Sequence, residues 1–185
     1  MQRLGGVALA IVVVLATAGS ASGRDGALSR PLHLPSPAAG ARCPVSHGTL
    51  ASKLGHGLAR MPVAGDGPAY MMSVGGEPAG FVSIEGSRVD LQGWRGQVAP
   101  WIADPRYRGP LLIRGARIDA PGPLRFSRGD TGEHLKAIYQ RRGQGVQPNG
   151  WRVWGGALLV RKPGCYGLQV DGLTFSSVIV IRVRA

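Results

Sequence analysis

From Tyr70 to the C-terminus the chain alternates short apolar, β-prone runs with Gly and Pro. The runs predict strands over 70–74, 81–85, 97–102, 111–114, 124–127, 135–139, 151–161, 166–171 and 175–184. Regular strands of this length divided by turn residues predict an all-β fold, an immunoglobulin-like antiparallel β-sandwich of about 7–9 strands. Within 166–171, period-2 alternation puts Tyr166, Leu168 and Val170 on a core face and turns Gln169 and Asp171 the other way. The last run is apolar on both faces in its first half, which predicts a strand with neighbours on both sides. Lys162-Pro163-Gly164-Cys165 reads as a type II turn closing a hairpin between the runs before and after it. Leu50, Leu54 and Leu58 have helical spacing, but Gly55 and Gly57 interrupt them, so at most one short helix is expected there.

Before Tyr70 the pattern changes twice. Met1-Gln2-Arg3 and the apolar run Leu4 to Leu15 form a secretory signal peptide, assigned to residues 1–18 and ending in small residues near Gly19. The alternative is an uncleaved N-terminal membrane anchor, for which the run falls short of the roughly 20 apolar residues a span requires. Residues 19–42 are rich in Pro, Gly, Ser and Ala without apolar periodicity and are expected to be a flexible linker. Residues 43–185 have the length of one domain with a real core. The expected location is therefore secreted or extracytoplasmic, with no transmembrane segment after cleavage.

Two cysteines, Cys43 and Cys165, lie toward the ends of that domain, and in an oxidising compartment they are expected to form a disulfide. The formal net charge is +12, carried by nineteen arginines and three lysines against ten acids. This favours partners with negative charge, although a GC-rich codon bias yields the same Arg, Ala, Gly and Pro enrichment. The arginines alternate with apolar residues, as in Leu124-Arg125-Phe126 and Ile181-Arg182-Val183-Arg184, a spacing that describes solvated strand faces.

Three segments carry a resemblance: Gly109 to Asp119, Pro163-Gly164-Cys165-Tyr166-Gly167-Leu168-Gln169-Val170-Asp171-Gly172, and Phe175 to Val180. The chain from about Gly67 onward resembles a family of secreted proteins of high-GC bacteria. Many members of that family resemble lipoproteins, whereas no cysteine lies near the signal cleavage site here. The resemblance implies export and a sandwich fold, and it brings no catalytic or binding residue with it.

The motifs of common hydrolases and nucleotide-binding loops are missing. Gly55-His56-Gly57-Leu58-Ala59-Arg60 ends in Arg where a dinucleotide fingerprint ends in Gly or Ala, and it reads as a loop. His33, His47, His56 and His134 are scattered. Glu133 and His134 are adjacent and would face opposite ways on a strand, so no metal site is assigned, even with Asp130 or Asp171 added. Asp119 and Asp171 each end a strand and invite comparison with paired carboxylates, but Asp171-Gly172 reads more simply as a turn. No catalytic residue and no cofactor are assigned.

Aromatic and basic residues remain. Trp101, between Pro100 and Ile102, reads as core. Trp94, Arg95, Trp151, Arg152 and Trp154 are the candidate binding residues, because a flat ring beside a guanidinium suits a glycan or an anionic surface. Trp151 and Trp154, three apart, cannot share a strand face, so one of them should point outward. The expectation is thus an exported, non-catalytic module whose partner is an anionic cell-envelope polymer or glycan surface. The alternatives are an accessory protein docked on another exported protein and, below that, a hydrolase using Asp119, Glu133 or Asp171. Nucleic acid is not expected as a physiological partner.

Overall fold

The computed structural model describes residues 26–28, 30–55, 60–87, 92–127, 134–137, 145–147 and 149–185. The expected signal peptide, residues 1–18, and the first residues of the expected linker lie outside them. Thirteen strands are formed by the described residues: β1 (Gly48–Leu50), β2 (Pro62–Ala64), β3 (Ala69–Met72), β4 (Phe81–Ser83), β5 (Arg95–Val98), β6 (Trp101–Ala103), β7 (Leu111–Arg117), β8 (Leu124–Phe126), β9 (His134–Ala137), β10 (Arg152–Trp154), β11 (Ala157–Val160), β12 (Gly164–Asp171) and β13 (Ser176–Arg184). The all-β antiparallel expectation holds. The larger strand number has two sources. Two short strands, β1 and β2, precede the first predicted run, and the runs 97–102 and 151–161 are each broken in two.

Those breaks explain the architecture. Sheet I has the order β1-β2-β3-β6-β10, sheet II β5-β11-β8 and sheet III β4-β13-β12-β7-β9. The break at Ala99-Pro100 carries the chain from sheet II to sheet I, and the break at Gly155-Gly156 carries it back. The bend is bridged by a hydrogen bond from the Ala99 amide to the Gly156 carbonyl at 2.9 Å. Sheets I and II are therefore one layer, creased where Pro cannot donate to a ladder and where two glycines accept the bend. Sheet III is the other layer. All its contacts are antiparallel except β13 with β4, which run parallel. β13 has neighbours on both sides, as its apolar faces require.

The core fills the space between the layers. Met71, Trp101 and Ala103 from sheet I, Leu124, Leu158 and Val160 from sheet II, and Ile113, Tyr166, Leu168 and Ile181 from sheet III form one buried cluster. Trp101, Leu168 and Ile181 are fully buried, each worth about 1.5–3 kcal/mol of transfer free energy. A second cluster lies on the outer face of sheet I, where Val63, Tyr70, Met72, Ile102 and Trp151 pack with Ala51 of a 3-10 turn over Ala51–Leu54. The short helical element expected near Leu50 is this turn; residues 56–59 lie outside the described residues.

Two local expectations change. Lys162-Pro163 does not close a hairpin: β11 pairs with β5 and β8, whereas β12 pairs with β13 and β7. The turn instead takes the chain from one layer to the other, and Gly164 opens β12 without a positive φ. The second change is the linker. Arg30 to Leu34 form a strap against the outer face of sheet III, and the disulfide at Cys43 fixes the chain again further on.

The strap is held by polar contacts at widely separated positions. The His33 amide donates to Gln169 Oε1 at 2.6 Å, and Gln169 Nε2 donates to the Pro31 carbonyl at 3.0 Å. Arg30 Nη1 donates to the carbonyls of Gly172 and Phe175. Leu34 crosses over Gly167, where a Cβ would come within 3.1 Å of its Cδ2, so glycine lets the strap lie close. The Cys43–Cys165 disulfide, with a Cα–Cα distance of 5.5 Å, pins the chain beyond it to β12. Every residue of β12 is consequently buried, including the outward Gln169 and Asp171.

Candidate functional site

Nineteen arginines on a small sandwich raise one question: which of them are already neutralised. On sheet III most are. The Asp171 carboxylate, fully buried, accepts from Arg114 Nη2 at 2.6 Å, from Gln169 Nε2 at 3.0 and 3.1 Å, and from Ser176 Oγ at 2.7 Å. Arg30 Nη1 lies 3.9 Å away. A buried charge with this many partners is a structural hub. Elsewhere Arg117 and Arg182 flank Asp119, Arg184 meets Glu77, and Arg106 grips Asp104 with a two-pronged contact at 2.8 and 2.9 Å. The hydrogen bond from Arg117 holds the Asp119 carboxyl below its ordinary value, and Arg106 does the same to Asp104.

This ends the reading of Asp119 and Asp171 as paired acids. Asp171 is in register with Leu112, whereas Asp119 lies two residues beyond Arg117, which is in register with Tyr166. They sit at opposite ends of β7, roughly 20 Å apart at the rise of a strand. Glu133 and Asp130 lie outside the described residues. His134 opens β9, opposite Arg114. Among the described residues no three His, Cys, Asp or Glu side chains converge as metal ligands.

The candidate binding residues fall into two groups that do not form one surface. Just before β10, Trp151 is 3 % exposed and belongs to the outer cluster of sheet I, its ring 6.2 Å from that of Tyr70. Arg152 and Trp154 point the other way. Arg152, 2 % exposed, donates to the carbonyls of Gly109 and Tyr107 at 3.0 and 2.5 Å and stacks 4.8 Å from the Trp154 ring. It clamps the 107–109 loop and is not available to a ligand. Trp151 does face away from the core, as alternation requires, but a second apolar layer covers it.

Trp94 and Arg95 are likewise separated. Arg95 is in register with Val160 and so shares its side of sheet II, while Trp94 lies on the opposite face. Trp94 is 3 % exposed, so its ring is no open platform. Two cations stand over it: the guanidinium of Arg125 lies 4.7 Å from the ring centroid and that of Arg161 5.0 Å. Arg125 projects outward between the core residues Leu124 and Phe126, and Arg161 directly follows inward-facing Val160. Both positions follow from strand alternation, but their meeting on one indole depends on sheet order β5-β11-β8 and has no local signature.

Neither Arg125 nor Arg161 has a carboxylate partner among the described residues. Arg125 makes one long contact, from Nη1 to Gln92 Oε1 at 3.5 Å. The indole quadrupole orients the two cations without cancelling their charge. Beside them a cleft of about 330 Å³ opens between Leu32 of the strap, Arg114 of β7, Arg125 of β8 and His134 of β9. Among the described residues no acidic side chain lines it. The outer face of sheet II, with Arg125 reaching the rim of this cleft, therefore forms a cationic surface with a preset geometry, suited to phosphate, carboxylate or sulfate groups.

Comparison with known proteins adds little to this geometry. No family model matches the chain, and no curated protein matches it. A solved structure from Bacillus anthracis, described as a "putative lipoprotein", is similar at 11 % identity with a TM-score of 0.44, covering 78 % of this chain and 88 % of that one.

Proposed function

We propose that this protein is an extracytoplasmic, non-catalytic module that binds an anionic polymer of the cell envelope through the outer face of sheet II. The observation that carries the reading is the pair of guanidiniums, Arg125 and Arg161, stacked on Trp94 with no carboxylate among the described residues to neutralise them. A buried aromatic that fixes two cations in place lowers the entropy lost when an anion docks. The disulfide favours an oxidising compartment, and no helix among the described residues is long and apolar enough to cross a membrane. Trp94 acts here as the support for the binding groups, a different role from direct stacking on a sugar.

Co-sedimentation with isolated bacterial cell walls, over a salt series, tests the proposal. Binding should weaken steeply with salt and should be lost when Arg125 and Arg161 are both changed to Gln. Salt-resistant binding would instead support docking on another exported protein. The edge strand β5 offers a place for that, since Val98 there is 55 % exposed.

A further inference from the structure

A second cleft, of about 450 Å³, lies at the end of sheet I and has the opposite electrostatic character. It is built by the β2–β3 turn and by the residues after β6. Gly67 takes a positive φ of 86° and precedes a cis peptide to Pro68, whose carbonyl accepts the Asp104 amide at 2.8 Å. Asp66, Tyr70, Asp104, Arg106 and Thr174 are among the residues that line it. Two carboxylates and one guanidinium leave it with a formal charge of −1, on a protein whose total is +12.

Tyr70 distinguishes this cleft from a chance cluster of acids. The residue is only 8 % exposed, its ring packs in the outer cluster near Trp151, and its hydroxyl lies against Gly67, where a Cβ would collide with it. No described residue hydrogen-bonds that hydroxyl. The neighbouring Tyr107 differs: its hydroxyl donates to the Pro110 carbonyl at 2.6 Å and accepts the Leu173 amide at 2.9 Å. A phenol this buried normally has a partner. Burial, followed by the Asp104 charge, raises the Tyr70 pKa, so the group keeps its proton, and its hydroxyl lines the cleft, where it can donate to whatever fills it.

We infer that this cleft is a binding site for a sugar residue, with the Tyr70 hydroxyl and the Asp66 carboxylate as its polar contacts. The chemistry selects the class. An anion is opposed by Asp66 and Asp104. An ammonium group satisfies Asp66 but offers no lone pair to the Tyr70 proton. A sugar hydroxyl donates to a carboxylate and accepts from a phenol, and adjacent hydroxyls on one ring do both. Asp104 is held by Arg106 and supplies a fixed rim. The volume falls in the range of small-molecule sites, roughly 300–1,000 Å³.

The inference does not depend on the cationic face, and its test separates the two. The disulfide-bonded, isotope-labelled protein is titrated at millimolar concentration with the tetrasaccharides of N-acetylglucosamine and of glucose. Amide shifts are followed by NMR, with tetramethylammonium and inorganic phosphate as controls. At least one tetrasaccharide should shift residues 66–70 and 104–107, independently of salt. Tyr70→Phe, which keeps the ring packing, should weaken that binding roughly three- to tenfold. Asp66→Asn should weaken it comparably, and Arg125→Gln with Arg161→Gln should leave it unchanged. The inference is overturned if neither tetrasaccharide shifts these residues, if Tyr70→Phe binds as well as the unaltered protein, or if tetramethylammonium alone reproduces the shifts.

Discussion

Two faces of this sandwich carry arginines, and they use them in opposite ways. On the outer face of sheet III, Arg30 and Arg114 converge on the buried carboxylate of Asp171, and the strap at Arg30 to His33 is hydrogen-bonded beside the group. On the outer face of sheet II, Arg125 and Arg161 converge on the indole of Trp94. The carboxylate cancels charge and ties two segments of chain together. The indole orients charge and leaves it unspent. Net charge alone therefore says little about where an anion binds, because the anchoring partner decides whether an arginine is structural or available.

The contrast can be broken at several points, from the strongest to the weakest. Removing the disulfide with serine at Cys43 and Cys165 should have the largest effect, since the bridge closes a sequence separation of 122 residues. The chain-entropy model puts this at about 5 kcal/mol, to be read as a lower urea midpoint. Limited proteolysis should then cut first in the strap. Asp171→Asn comes next, because it leaves Arg114 and Arg30 without their counter-charge. Loss of one member of a buried charge group costs about 3–5 kcal/mol, and the lower end applies here because both arginines reach solvent.

A smaller effect is expected from pH. Asp104 and Asp119 have their carboxyls held below the ordinary 3.8 by Arg106 and Arg117. Their contribution to stability is complete above that value and is lost as pH falls through the depressed ones. Burial raises Tyr166 and Tyr107 above 10.0. Their contribution is complete below pH 10.0 and is lost as pH rises through the raised values. Urea midpoints across pH should fall at both ends, and Arg106→Gln should shrink the acid limb, because Asp104 then has no lowered carboxyl whose stabilisation acid can remove. Last, Arg125→Gln with Arg161→Gln should cost only about 1 kcal/mol of stability, the cation–π contribution at a partly exposed site. Trp94 emission should change with it.

The fold was largely legible in the sequence because strand alternation is local. The runs around Leu111, Tyr166 and Ser176 appear as β7, β12 and β13, Trp101 is core, and the two cysteines are bridged. The strap was not legible. Its order comes from hydrogen bonds between Arg30 to His33 and residues near Gln169, more than 130 positions away, which apolar periodicity does not record. For the same reason Gln169 and Asp171 alternate outward and are nevertheless buried. Trp94 stands out in the sequence, but its pairing with Arg95 rests on adjacency alone, and strand alternation separates the two. Its actual partners, Arg125 and Arg161, come from two other segments and meet it only through sheet order. Tyr70, whose hydroxyl no described residue hydrogen-bonds, lies inside a predicted strand and carries no signal of a cleft.

The most direct measurement compares two double variants of equal charge in cell-wall co-sedimentation across a salt series. One is Arg125→Gln with Arg161→Gln on the indole, and the other is Arg182→Gln with Arg184→Gln beside Asp119 and Glu77. The account expects the first to abolish binding and the second to leave it nearly as in the unaltered protein. Equal weakening in both would mean that overall charge, and not the face of sheet II, governs binding, and the assignment of that face would fall.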